Sequence, residues 1–204
     1  SGLHHNAFDG MQGYTFLTAF QLTGDRNYYD YGMNIANGCL YNYTNLILNW
    51  GYMCAMALEK AYGVTGSEAY MNKARQITND TRRYQFKDGS FPHVPLGGKN
   101  AGYTSWMTYE LLHIRKEDPL NLAVGTDIIR AANFLMKRVN PDGSVNYQDE
   151  NGTYYSNPNG YDVRGYVGAS TSIAYSLKAL GMDSESIKLL KFEFSQQLNG
   201  TNEG

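Results

Sequence analysis

A Gly-Tyr pair heads each of four apolar stretches, and this repetition limits what the chain can fold into more than any other feature. The pairs are Gly13-Tyr14, Gly51-Tyr52, Gly102-Tyr103 and Gly165-Tyr166. The stretches read GYTFLTAFQLTGD, GYMCAMALEKAYGVTG, GYTSWMTYELLHIRKED and GYVGASTSIAYSLKALGMD. Small and apolar residues occupy nearly every side of each, as in a helix buried around its whole circumference. Three stop near glycine, at Gly24, at Gly63 with Gly66, and at Gly181. Glycine adopts the left-handed conformation that closes a helix. The third ends at Asp118-Pro119, where proline cannot continue it. Helices are therefore expected to start within about two residues of each tyrosine, given the usual boundary error.

A second, more amphipathic helix follows each time, over Tyr28–Leu40, Glu68–Tyr84, Leu122–Val139 and Glu185–Leu198. In the third of these, Ile128, Ile129, Ala132, Leu135 and Met136 form one stripe, with Asp127, Arg130, Lys137 and Arg138 away from it. Ser67, Asn121 and Ser184 are expected N-caps. Each unit then ends in a turn, Asp88-Gly89-Ser90-Phe91 or Asn140-Pro141-Asp142-Gly143, and Asp9-Gly10 reads as a remnant of the same turn. The loops that lead to the next Gly-Tyr lengthen along the chain, and the one over 142–164 is too long for a plain connector.

A buried helix, a half-exposed helix and a turn, repeated four times, predict an all-α chain and an α/α toroid. In that fold inner helices run parallel and outer helices wrap them. An open α-solenoid of similar hairpins is the alternative. The small residues on the inner helices favour the ring, where those helices must approach closely. We expect one toroid domain over 1–204. Four hairpins suit a small ring, a partial barrel or part of a longer chain.

The segment Gln85-Phe86-Lys87-Asp88-Gly89-Ser90-Phe91 resembles the Q-x-x-D-G-x-aromatic turn of terpenoid-cyclase and prenyltransferase toroids. It is also similar to turns in α/α-toroid polysaccharide lyases and glycoside hydrolases. The resemblance covers most of the chain as a repeat pattern and implies the α/α-toroid superfamily. The acidic cyclase motif, the thioester motif, the zinc ligands of prenyltransferase β-subunits and the ligands of lanthionine cyclases have no counterparts. The carbohydrate-processing toroids are what the resemblance leaves.

Composition narrows the ligand. The formal net charge is -2, and Lys and Arg are scattered. That excludes the basic stripe of a nucleic-acid binder and the basic face of a protein held on anionic lipid. No apolar run is long enough to span a bilayer. Tyrosine is abundant, at 18 residues against 2 tryptophans and 8 phenylalanines, which suits a wet, aromatic-lined cleft. Cys39 and Cys54 lack a metal-ligand spacing and read as buried thiols, reduced in a cytosolic preparation. A disulfide between them needs an oxidising compartment. No cofactor or metal site is expected. A secreted or periplasmic location is compatible with the sequence, which assigns none.

Parallel inner helices would bring their N-termini, and the residues around each Gly-Tyr, to one face. That face collects His4, His5, Asn6, Asp9 and Tyr14, then Asn49, Trp50 and Tyr52. It adds His93, Lys99, Asn100, Tyr103 and Trp106, then Tyr161, Asp162, Arg164 and Tyr166. Helix N-termini carry partial positive charge and free N–H groups, and Lys99 and Arg164 add full charges. With aromatic faces for sugar rings, the set fits a uronic-acid polysaccharide. β-Elimination needs the uronate carboxylate neutralised, here by Asn6 or Arg164, and a base for the proton at C5. His4, His5, Tyr103 and Tyr166 are the candidates for that base. Trp50, Trp106, Tyr52, Tyr14, Asn100, Lys99 and Asp162 are expected to bind substrate. The plainer alternatives are helix packing for each tyrosine, a turn cap for His93, and an Arg164–Asp162 salt bridge. Hydrolysis needs two carboxylates across the bond. Of Asp9, Asp162, Glu59 and Glu110, the last two fall late in inner helices, where structural salt bridges are expected. A lyase on an anionic polysaccharide is thus the leading reading. A glycoside hydrolase and a non-catalytic glycan- or peptide-binding module are the alternatives.

Overall fold

Four helical hairpins account for most of residues 7–43, 47–143 and 167–198, which the computed structural model of the chain describes. The hairpins are α1 (Ala7–Thr23) with α2 (Arg26–Asn42), α3 (Leu48–Thr65) with α4 (Glu68–Arg82), α5 (Ala101–Glu117) with α6 (Leu122–Met136), and α7 (Val167–Ala179) with α8 (Asp183–Leu198). Between α4 and α5 lies a small antiparallel pair, β1 (Phe91–Pro92) and β2 (Lys99–Asn100), with Phe91 opposite Asn100. The chain divides into two compact units. The first comprises Ser1–Tyr84 and His113–Leu122, and the second Gln85–Leu112 and Ala123–Gly204.

In the first unit α3 is the buried helix. Every residue from Ala55 to Ala61 is buried, which is possible only when a helix is covered on all sides. Its partner α4 buries the single stripe Met71, Ala74, Ile77, Thr78 and Thr81. Helices α1 and α3 meet at backbone contact. A Cβ on Gly10 would lie 2.6 Å from the Met53 carbonyl carbon, and one on Gly13 would lie 3.2 Å from the Ala57 Cβ. The register advances in the same sense on both helices, so α1 and α3 run parallel, as inner helices should. Helix α2 returns antiparallel, with Gly13 against Ile35 and Gly32 against Leu17. Leu17, Met33, Ala36 and Ala61 form the core between these helices.

In the second unit Ala101, Phe134, Leu135, Ile173, Ala174, Leu177 and Leu189 form one core from α5 to α8. Two Asp-Gly turns dock on it in the same way. Gly89 has φ +96°, and a Cβ there would lie 2.0 Å from the Arg130 carbonyl oxygen on α6. Gly143 has φ +91°, with the Lys188 carbonyl oxygen of α8 at 2.5 Å. Only glycine permits both the conformation and the approach. The first turn is held closed by Asp88, whose Oδ1 accepts from the Ser90 N–H at 3.1 Å and the Ser90 hydroxyl at 2.7 Å. Gln85 donates to the Gly89 carbonyl at 3.1 Å and the Asp127 carbonyl at 2.9 Å, and accepts from Arg130 at 2.6 Å. Each residue of the Gln-x-x-Asp-Gly signature thus has a structural task.

Several local expectations are corrected. Helix α1 already includes Ala7, so Asp9-Gly10 is helix and not a turn, and Tyr14 lies about two turns inside. Helix α3 begins about one turn before Tyr52. In these two repeats the glycine of the pair serves close helix packing rather than helix initiation. Helix α5 does begin within two residues of Tyr103, while Tyr166 lies outside the described residues. Gly63 lies within α3, and Gly66, at φ +69°, closes it by donating its N–H to the Tyr62 carbonyl. Ser184 is inside α8, whereas Ser67 does occupy the N-cap position of α4, though without a side-chain cap bond. Asp25 instead caps α2, accepting from the Asn27 N–H at 2.9 Å. On α6, Asp127 is buried while Ile129 is 57% exposed, the reverse of the expected stripe. The inward carboxylate is stabilised by Arg130 at 2.7 Å.

Candidate functional site

The second unit places four of the expected site residues together at the start of α5. Asn100 caps the helix, its Oδ1 accepting from the Tyr103 N–H at 2.9 Å. Thr104 ties the helix to the strand pair. Its hydroxyl accepts from the Phe91 N–H at 2.8 Å and donates to the Asn100 carbonyl at 2.6 Å. This scaffold fixes His93 and Tyr103 in parallel stacking, with centroids 4.0 Å apart and planes at 17°. Trp106 meets Tyr103 edge-on at 5.2 Å and 80°. All three rings are half-buried and keep some surface in solvent. Burial pushes the His93 imidazole below its usual value, so the ring is neutral near pH 7. His93 therefore acts here as a stacking partner of Tyr103.

Lys99 stands beside this group in an ion pair with Asp88 at 2.8 Å. Burial raises the Asp88 carboxyl, but bonds from Lys99 and Ser90 outweigh it and hold the group below its ordinary value. The Lys99 charge is thus already matched, which limits what it offers an anionic ligand. The cluster presents aromatic faces, one neutral imidazole and a capped helix N-terminus.

The first unit holds Tyr14, Trp50 and Tyr52. Tyr52 is completely buried and packs in the core, which removes it as a substrate contact in this structure. Trp50 is half-buried in the first turn of α3. Tyr14 belongs to a polar cluster that sequence reasoning missed. Its hydroxyl lies 3.1 Å from His113 Nδ1, and the two rings meet edge-on at 5.3 Å. Lys60 Nζ sits 5.2 Å from the Tyr14 ring centroid, pairs with Glu117 at 2.7 Å and approaches Gln21 at 3.4 Å. Burial, and then the nearby Lys116, lower the His113 basicity. His113 and Lys60 lie in the C-terminal halves of their helices, outside the Gly-Tyr neighbourhood that directed attention elsewhere. The signal available was the His113, Lys116 and Glu117 spacing on one helix.

Glu59 and Glu110 do not form the expected salt bridges among the described residues. Glu59 is 2% and Glu110 1% exposed. Burial drives both carboxyls well above their ordinary value, with Asp118 and Glu117 adding to the effect at Glu59. In both, burial favours the neutral acid over the carboxylate. His4, His5, Asn6, Asp162, Arg164 and Tyr166 lie outside the described residues. Among the described residues no group of His, Cys, Asp and Glu is arranged to hold a metal ion, and no helix is long and apolar enough to cross a membrane.

No protein-family model matches the sequence, and no curated protein matches it. Solved structures do share its fold. A polysaccharide lyase superposes with a TM-score of 0.68 at 13% identity, over 88% of this chain and 57% of that one. A glycosyl hydrolase family 88 protein from Bacteroides vulgatus gives 0.65 at 13% identity, over 90% and 58%. The GH76A alpha-1,6-mannanase from Salegentibacter sp. HEL1_6 gives 0.63 at 18% identity, over 94% and 60%. The chain spans about three fifths of the length of each. At such identities the likeness is one of fold, and the fold is that of the α/α toroids, with four helical hairpins among the described residues.

Proposed function

We propose that the chain is a carbohydrate-active α/α-toroid protein, and that it cleaves an anionic, uronic-acid polysaccharide by β-elimination. The observation that carries this reading is the His93–Tyr103–Trp106 group at the capped start of α5. Sugar rings pack on aromatic faces, and a rigid aromatic group with a neutral imidazole suits a ligand both apolar in its ring faces and rich in hydroxyls. The similar structures are those of a polysaccharide lyase and two glycoside hydrolases, which supports carbohydrate as the substrate class.

In this reading Trp106 and Tyr103 bind a ring, and Tyr103 or Tyr166 takes the C5 proton. Arg164 neutralises the carboxylate, because Lys99 is engaged by Asp88. A guanidinium can form a bidentate pair with a carboxylate, which an ammonium cannot.

Turnover on polyuronates, followed by the absorbance of the unsaturated product, tests the reaction. Activity is expected, and Arg164→Ala is expected to lower kcat/KM by about 30-fold, equivalent to roughly 2 kcal/mol of lost charge-assisted bonding. New reducing ends without an unsaturated product would replace the lyase with a hydrolase. Binding without turnover would replace it with a recognition module.

A further inference from the structure

Cys39 on α2 and Cys54 on α3 hold their sulfurs 2.7 Å apart. The two side chains therefore face one another across the helix contact, near enough for an S–S bond after a small shift. The two helices present the residues to each other from positions 15 apart in sequence. The pair is also asymmetric in access. Cys39 is 2% exposed, whereas Cys54 is only half-buried.

We propose that Cys39 and Cys54 form an intramolecular disulfide that staples α2 to α3 when the protein meets a disulfide oxidant. Cys54, the accessible residue, attacks as thiolate on one sulfur of the oxidant and releases its other half as a thiol. The Cys39 thiolate then attacks the Cys54 sulfur of the mixed disulfide and releases the second thiol. One S–S bond breaks in the oxidant and one forms in the protein. Two electrons pass to the oxidant, and the two cysteine protons end on its two thiols. The staple closes a loop in the unfolded chain and so stabilises the folded one.

The test equilibrates the full chain with oxidised glutathione or with dithiothreitol, then alkylates it in denaturant. Mass spectrometry counts the remaining thiols. Oxidation is expected to remove both thiols together, to leave the chain monomeric on a non-reducing gel, and to raise its thermal midpoint by about 5 °C or more over the reduced form. Cys39→Ser is expected to trap glutathione on Cys54, because the resolving thiol is gone. Two thiols still titratable after oxidation, dimers bridged between chains, or a midpoint indifferent to reductant would overturn the proposal.

Discussion

Glu110 sits on α5 with its carboxyl fully buried, and burial alone sets its acidity. Its ordinary value is 4.5, and the fold raises it well above that. Above pH 4.5 the unfolded chain ionises this group while the folded chain keeps the proton, so folding takes up a proton. The stability it contributes is fully present below that pH and is lost as pH rises toward the folded value. The loss approaches about 1.4 kcal/mol per pH unit over the interval. Glu110→Gln carries no charge at any pH. It is expected to flatten the pH dependence of the urea midpoint from pH 5 upward, and to be the more stable protein at pH 8. Parallel pH profiles for the two proteins would mean that Glu110 is ionised in the fold. His93 and His113 act with the opposite sign, since burial keeps both neutral and favours the fold at higher pH. None of these environments was legible in the sequence. A glutamate in an apolar helix has the same pattern whether it meets a cation or only carbon.

At the scale of elements, the Asp-Gly turn is the unit that docks on the outer helix that follows it. Gly89 leans on α6 and Gly143 on α8, each against a carbonyl oxygen of the outer helix that follows. A side chain at Gly89 would meet both an unfavourable φ and a backbone clash. Gly89→Ala is expected to cost about 2 kcal/mol or more, seen as a lowered urea midpoint of the full chain. An unchanged midpoint would show that the turn is not the anchor proposed. These turns were legible because glycine after aspartate is a conformational demand written in one residue. The helices themselves were legible from periodicity, and α4 and α6 start where expected. Helix starts in the first two repeats were not. Gly13 and Gly51 answer to crowding from α2, α4 and neighbouring side chains, which is a tertiary demand that local pattern does not carry. The inward turn of Asp127 was hidden for the same reason, since its partners Gln85 and Arg130 come together only in the fold.

For the whole molecule, the repeat of buried and half-exposed helices led to the α/α toroid, and the similar solved structures bear that fold out. Function was less legible. The aromatic group at α5 combines Tyr103 and Trp106, which the sequence reading selected, with His93, whose stacking role it missed. The most direct measurement of the central claim uses the scarcity of tryptophan, with only Trp50 and Trp106 in the chain. Trp50→Phe leaves Trp106 as the sole indole reporter. If the α5 group binds sugar, titrating this variant with an acidic oligosaccharide will change its tryptophan emission saturably, at the concentrations where calorimetry detects binding. Calorimetric binding with no change in Trp106 emission would contradict the account.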